Sequence, residues 1–253
     1  MKLISFGKTD QGKTRTNNED AFLVNDRLGL YAVADGIGGH EGGEVASRLA
    51  MEALSSILRE QFAGSRSGAA FDDSPEKDQY ITSLRGAVAF ANTTIHQAAA
   101  QAPALTGMGT TVTAVLLRPR TSVFAHVGDS RAYLFRYGTL RQLTDDHSLV
   151  AEQMRAGLIT PEQARMSPYR HVITRSIGIH PEVHMDLGMF EVEKNDVLLL
   201  CTDGLTEMVK DDDIARILGS ETPPASAESL IRRANDNGGV DNITVVVVRI
   251  EDA

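Results

Sequence analysis

Acidic residues recur in this chain at one kind of place, the tip of a short apolar run with the character of a β-strand. LYAVA at 30–34 runs into Asp35-Gly36, SVFAHV at 122–127 into Gly128-Asp129, and VLLLCT at 197–202 into Asp203-Gly204. Asp241-Asn242 immediately precedes ITVVVV, and Glu19-Asp20 precedes AFLV. A single Asp-Gly pair is a common turn signal, and that reading stays open for each pair. Repetition adds a second reading. Carboxylates gathered at one end of a sheet repel unless a cation lies between them. Oxygen donors without His or Cys suit hard ions such as Mg²⁺ or Mn²⁺, whose retained waters can attack phosphate esters. Arg15, four residues before Glu19, could add a guanidinium fork for two phosphate oxygens. Taken alone, it is equally an ordinary surface arginine.

Strands and helices must bring these groups together. Short runs rich in Val, Leu, Ile and Phe, bounded by Gly, Asp or Asn, predict strands at 2–6, 21–25, 30–34, 111–117, 122–127, 132–135, 197–202 and 243–250. Three of these, at 30–34, 197–202 and 243–250, are continuously apolar, which predicts cover on both faces. Val45, Leu49, Ala53, Ile57 and Leu58 share one face of a helix expected over 43–62, and Ile81, Leu84, Val88, Ala91 and Ile95 one of a helix over 80–102. Between them 64–78 is polar and expected to be an exposed loop. The stretch 150–178 has helix-like turns and no strand pattern, so it is expected to form a flap. A loop at 222–227 and a short helix at 227–236 precede the last strand.

Bulk properties narrow the classes. The 253 residues are 42% hydrophobic and 23% charged, an ordinary globular composition. The net charge of −9 argues against a nucleic-acid surface. It fits either simple solubility or acids awaiting cations. No apolar run has membrane-spanning length, and the first residues lack a secretory signal. With Cys201 the only cysteine, no internal disulfide can form, and a cytoplasmic location is expected.

Together these residues resemble the type 2C, or PPM, family of metal-dependent protein phosphatases. The matching stretches run in the family's order from Thr9 to Val248. They are Asp10-x-Gly12-x-x-Arg15-x-x-Asn18-Glu19-Asp20, VADGIGGHEGGEVAS at 33–47, GMGTT at 107–111 and HVGDSRAYLFR at 126–136. LTDDHS at 143–148, GLITPEQA…ITRSIG in the flap, LLLCTDGL at 198–205 and DNITVVVV at 241–248 complete the series. The resemblance implies an α+β fold, a four-layer α-β-β-α sandwich with two antiparallel sheets flanked by helices. It implies one catalytic domain over 1–253, carrying the flap at about 150–178. It implies two Mn²⁺ or Mg²⁺ ions bridged by Asp35. Asp203 and Asp241 would complete one site, Glu19 and the Gly36 carbonyl the other, with Asp20 supporting them from behind. A third ion would rest on Asp129 and Asp203, and Arg15 would hold the substrate phosphate. Hydroxide bridging the ions would then hydrolyse phosphoserine and phosphothreonine in proteins, opposing a cognate Ser/Thr kinase. Cys201 lies in an apolar strand and lacks the phosphate loop of cysteine phosphatases.

Some positions depart from the family pattern. Animal relatives carry a histidine two residues after the bridging aspartate, where this chain has Ile37. His40 is expected to shape the loop. Ser167 and His171 in the flap differ from common relatives, in a position to affect substrate choice. Two rival readings can be weighed. Residues 7–14, GKTDQGKT, satisfy the phosphate-loop pattern of nucleotide-binding proteins, but RTNNEDAFLVND after them offers no helix to cradle phosphate. A catalytically dead binding domain would have lost metal acids, and here Glu19, Asp35, Asp203, Asp241 and Arg15 are all present.

Overall fold

The computed structural model describes residues 1–38, 42–62, 77–119 and 121–252. His40 and positions 64–76 of the expected polar loop lie outside them. One sheet has the order β1 (Lys2–Asp10), β11 (Ile243–Asp252), β10 (Val197–Cys201), β7 (Arg131–Arg136) and β8 (Thr139–Gln142). The second runs β2 (Asp20–Asn25), β3 (Leu30–Ile37), β5 (Val112–Leu116), β6 (Ser122–Val127) and β9 (Asp186–Phe190), with the short β4 (Gly109–Thr110) on the end of β3. Neighbouring strands pair antiparallel throughout.

Alternation along each strand divides the apolar residues into three cores. Tyr31 and Val33 of β3 meet Leu198 and Leu200 of β10 and Val246 and Val248 of β11, so the two sheets pack face to face. Leu30, Ala32 and Ala34 point the other way, under helices α1 (Gly42–Gln61) and α2 (Lys77–Gln101). Leu199 and Cys201 of β10 with Val245 and Val247 of β11 lie beneath α6 (Asp211–Ser220) and α7 (Pro223–Asp236). The result is the expected four-layer α-β-β-α sandwich. Strands β3, β10 and β11 are apolar throughout because both of their faces are covered.

Two differences from the expected elements have local causes. The first strand runs on to Asp10 because β11 pairs with it along its length, down to Asp10 opposite Ile243. The loop expected at 222–227 is largely helical: Pro223 takes the first helical position, where a missing N–H costs nothing, and Thr222 stands before it. As expected, the backbone after Thr14 forms bends leading into β2, with no helix, which removes the nucleotide-loop reading.

The flap carries two short helices, α3 (Leu149–Arg155) and α4 (Pro161–Met166). Ser148 caps the first, accepting from the Ala151 N–H. Thr160 and Gln163 form a reciprocal capping box on the second. Single bridges, Ser148 to Ile173 and Thr110 to Ile177, root the flap beside the sheets. Between α2 and α7 in the chain, a further short helix, α5 (Asp203–Thr206), begins immediately after β10.

Candidate active site

The sandwich brings the ends of β3 and β10 and the start of β11 to one edge, with their acids. Asp35 stands opposite Asp20 in the β2–β3 register. Its backbone is fixed from both sides. The Asp35 N–H donates to Thr111 Oγ1 at 2.9 Å, while its carbonyl accepts from the Thr111 N–H at 2.9 Å and from Thr110 Oγ1 at 2.7 Å. Asp203 opens α5. Gly204 follows it because a Cβ there would fall 2.0 Å from the Asn242 carbonyl oxygen. Asn242 is the main tie of this edge. Its Oδ1 accepts from the Glu19 N–H at 2.8 Å, and its Nδ2 donates to the carbonyls of Gln11 and Asn17 at 2.9 and 2.8 Å. The loop carrying Arg15 and Glu19 is thereby stitched to the residue after Asp241.

Gly36 and Gly43 leave room for Glu19. A Cβ on Gly43 would meet Glu19 Oε2 at 2.0 Å, and one on Gly36 would meet the carbonyls of Gly43 and Glu19 at 2.2 and 2.6 Å. The Glu19 carboxylate therefore lies against the first turn of α1, where helix N–H groups favour negative charge.

The electrostatics show how closely the acids converge. Asp20 is buried, and its Oδ2 accepts from Thr202 Oγ1 at 2.8 Å. Burial, with the charges of Asp203 and Asp241, pushes its carboxyl up to about 7. Burial raises Asp203 to about 7 as well, aided by Glu207 and Asp241 and opposed by a hydrogen bond with Asp35 and the charge of Arg15. Asp35 is held well above the usual carboxylate range, first by burial and then by Asp20, Asp203, Asp129 and Asp241. Asp129 moves the same way through burial and the charges of Asp203 and Asp146. Its neighbour Arg131 is occupied by Asp146 in a fork of 2.8 and 2.6 Å.

Buried Asp20 Oδ1, Asp129 Oδ1 and Asp203 Oδ1 have no hydrogen-bond partner among the described residues. Orphaned buried acceptors are expensive. A group of them, from carboxylates alone, fits a hard divalent cation. Arg15 lies at the rim with Nη2 2.6 Å from Asp241 Oδ2, its side chain half exposed.

Other groups fall around this cluster. In the flap, His171 Nδ1 is 2.8 Å from Glu207 Oε1, and the ligand atoms of His171, Glu207 and Asp203 lie within 4.8 Å of one another. Glu207 escaped the sequence reasoning, although its place four residues after Asp203 on a helical turn was available as a signal. Asn242, Thr202, Thr110 and Thr111 also escaped it. Hydroxyls and amides that hold backbone have no distinctive spacing. The Ser167 hydroxyl accepts from the Tyr169 N–H at 3.2 Å, a local turn. Cys201 is buried, and burial pushes its thiol up to about 12, far from a nucleophile.

The profile of the family described as Protein phosphatase 2C matches residues 9–236. The chain belongs to that family. It is 39% identical over 245 residues to the serine/threonine phosphatase stp of Listeria monocytogenes, covering 95% of this chain and 93% of the relative. The crystal structure of the Mycobacterium tuberculosis serine/threonine phosphatase PstP/Ppp matches with a TM-score of 0.87 at 39% identity, covering 98% of this chain and 99% of that one. The catalytic domain of PstP crystallised with two manganese ions matches with a TM-score of 0.85 at 38% identity, covering 99% of each chain. Family membership accounts for the order of the motifs along the sequence. The acids that this chain gathers at one edge are those the motifs carry. No helix among the described residues is long and apolar enough to cross a membrane.

Proposed function

We propose that this chain is a metal-dependent protein phosphatase that hydrolyses phosphoserine and phosphothreonine, opposing a cognate Ser/Thr kinase. The observation that carries the reading is the convergence of Asp20, Asp35, Asp129, Asp203 and Asp241 on one edge, with three buried carboxylate oxygens left without partners. Such a group is unfavourable unless it is protonated or holds cations, and only the second option is useful to an enzyme at neutral pH. The similar PstP domain, crystallised with two manganese ions, supports the cation reading.

In this proposal Asp35 would serve two Mn²⁺ or Mg²⁺ ions, with Asp203 and Asp241 as the further residues of one site and Glu19 with the Gly36 carbonyl those of the other. Asp20 braces the set through its bond to Thr202, and Asp129 with Asp203 offers a third position. Bound divalent ions would supply an acidified water as nucleophile and positive charge for the phosphoryl oxygens. The remaining work belongs to the chain. Arg15, held at the rim by Asp241, presents a planar fork to two oxygens of the phosphoryl group and orients phosphorus for in-line attack. The tie through Asn242 keeps that arginine and Glu19 in fixed relation to Asp241.

Turnover of p-nitrophenyl phosphate and of a phosphothreonine peptide, with Mn²⁺ and after chelation, tests the proposal. Metal-dependent hydrolysis of both is expected, with Asp203→Asn and Asp35→Asn inactive yet folded. A chain that binds phosphopeptide without metal-dependent turnover would instead be a binding module.

A further inference from the structure

The geometry points to His147 as the positioning residue for Asp129 and as the joint between the acidic edge and the root of the flap. This rests on the reading of Asp129 as a ligand for a divalent ion. Gly128, the residue before Asp129, has both of its backbone polar groups taken by this one residue. The His147 N–H donates to the Gly128 carbonyl at 2.7 Å, and the Gly128 N–H donates to His147 Nδ1 at 3.1 Å. Gly128 has a φ of +115°. A Cβ there would strike Thr111 at 2.5 Å, so the peptide is confined between Thr111 and the imidazole. The direction in which Asp129 leaves this turn is therefore set largely by where His147 sits.

The same histidine is fixed from the flap side. Its carbonyl accepts from the Thr174 N–H at 2.8 Å, and the next residue, Ser148, bridges to Ile173. Because Nδ1 accepts from Gly128, a ring proton belongs on Nε2, which lies 3.2 Å from Asp186 Oδ2 and 3.2 Å from Arg175 Nη1. Asp186 Oδ1 is in turn held by Arg175 Nη1 at 2.9 Å, from the exit of the flap. Behind the ring, the His126 imidazole packs with centroids 4.7 Å apart, its Nε2 3.0 Å from the Asp145 carbonyl and its Nδ1 2.9 Å from Thr113 Oγ1. His147 is buried. A residue so placed has one evident task, to keep the Asp129 turn and the flap exit in register. Partners that orient a metal ligand in this way typically change metal affinity by about 10–100-fold when removed.

The test is Mn²⁺ titration by calorimetry on the whole chain, with Asp129→Asn defining the binding event that needs Asp129. Affinity for that event is expected to fall about tenfold or more in His147→Leu. In His147→Asn, whose Oδ1 can still accept from Gly128, it should stay within about threefold. The half-saturating Mn²⁺ for turnover should shift by the same factor, with KM for p-nitrophenyl phosphate unmoved. Asp186→Ala, which removes at a half-exposed position the carboxylate that faces both Nε2 and Arg175 Nη1, should weaken the event by about threefold. It supplies the decision if the leucine variant does not fold. Unchanged titrations in His147→Leu or in Asp186→Ala, or an asparagine variant as weak as the leucine one, overturn this role. An Asp129→Asn variant that binds like the native chain refutes the ligand reading itself, a separate outcome.

Discussion

Stripped of divalent ions, this protein should be destabilised by its own acidic edge, and increasingly so as pH rises. Asp20 is the clearest case, being buried and raised from 3.8 to about 7 by burial and by Asp203 and Asp241. A raised folded-state pKa means that the folded chain holds the proton more tightly than the unfolded one. The stabilisation is complete below the unfolded pKa and is lost as pH climbs through about 7. A rise of roughly three pH units at about 1.4 kcal/mol each is worth ~4 kcal/mol in total. About 3 kcal/mol of that falls between about pH 5 and about pH 8. Buried His126, pushed down to about 4 chiefly by burial, titrates in the opposite sense over part of this range. A difference measurement removes that contribution. Asp20→Asn keeps the shape and an oxygen for Thr202 but cannot ionise. In EDTA, its thermal midpoint minus that of the native chain should grow by about 6–12 °C from about pH 5 to about pH 8, at 2–4 °C per kcal/mol for a chain of this size. Saturating Mn²⁺ should erase or reverse the difference, because cations then take the place of the protons. If the two proteins lose stability in parallel across that range without metal, the carboxylates are not crowded, and the argument for a cation site loses its footing.

Other changes test single links. Arg15→Ala should lower kcat/KM for p-nitrophenyl phosphate by about 10–100-fold, the loss of a charged hydrogen bond, while Mn²⁺ affinity measured by calorimetry changes much less. Gly43→Ala would drive a methyl group to 2.0 Å from Glu19 Oε2. Mn²⁺ binding should weaken by about tenfold or more in the same titration, and an unaltered isotherm would show that Glu19 is not a ligand. Leu199→Ala, in the core between β10 and the α6–α7 layer, should cost about 2–5 kcal/mol by denaturant titration, with kcat of the folded fraction preserved.

The sequence made the centre of the fold legible and left its margins obscure, for one physical reason. Strands β3, β10 and β11 are covered on both faces, so their apolar runs have no alternative explanation. Strands β8 and β9 went unread because they are edge strands and largely uncovered. TLRQ in β8 is exposed at three of its four positions, and DLGMF in β9 buries only Phe190 fully. Helix α6 begins with Asp211, Asp212 and Asp213, which look like loop and are in fact a first turn matched to the helix dipole. At the site, Asp35, Asp203 and Asp241 could be found because each stands at or beside the tip of a buried strand. Asn242, Thr111 and His147 could not, since their importance lies in which distant backbone they hold.

The division of the acids between the sheets explains why this edge is the chemically useful one. Asp20 and Asp35 belong to the β2–β3 side, and Asp203 and Asp241 to the β10–β11 side. Specific polar bonds join the two sides here, among them Asn242 Oδ1 with the Glu19 N–H at 2.8 Å and Thr111 Oγ1 with Ser130 Oγ at 2.8 Å. Thr202 Oγ1 reaches across to Asp20 at 2.8 Å while accepting from the Thr244 N–H at 3.0 Å, so a single hydroxyl ties both layers. Elsewhere the layers adhere through the apolar contacts of Tyr31, Val33, Leu198, Leu200, Val246 and Val248. Carboxylates facing one another from separate sheets add repulsion along the direction in which the layers would part. A cation shared by Asp35 and Asp203 would act along that same direction and hold the layers together there. The sites a divalent ion would prefer are thus the ones the fold by itself leaves least satisfied, a conflict between levels that marks function rather than a defect in packing.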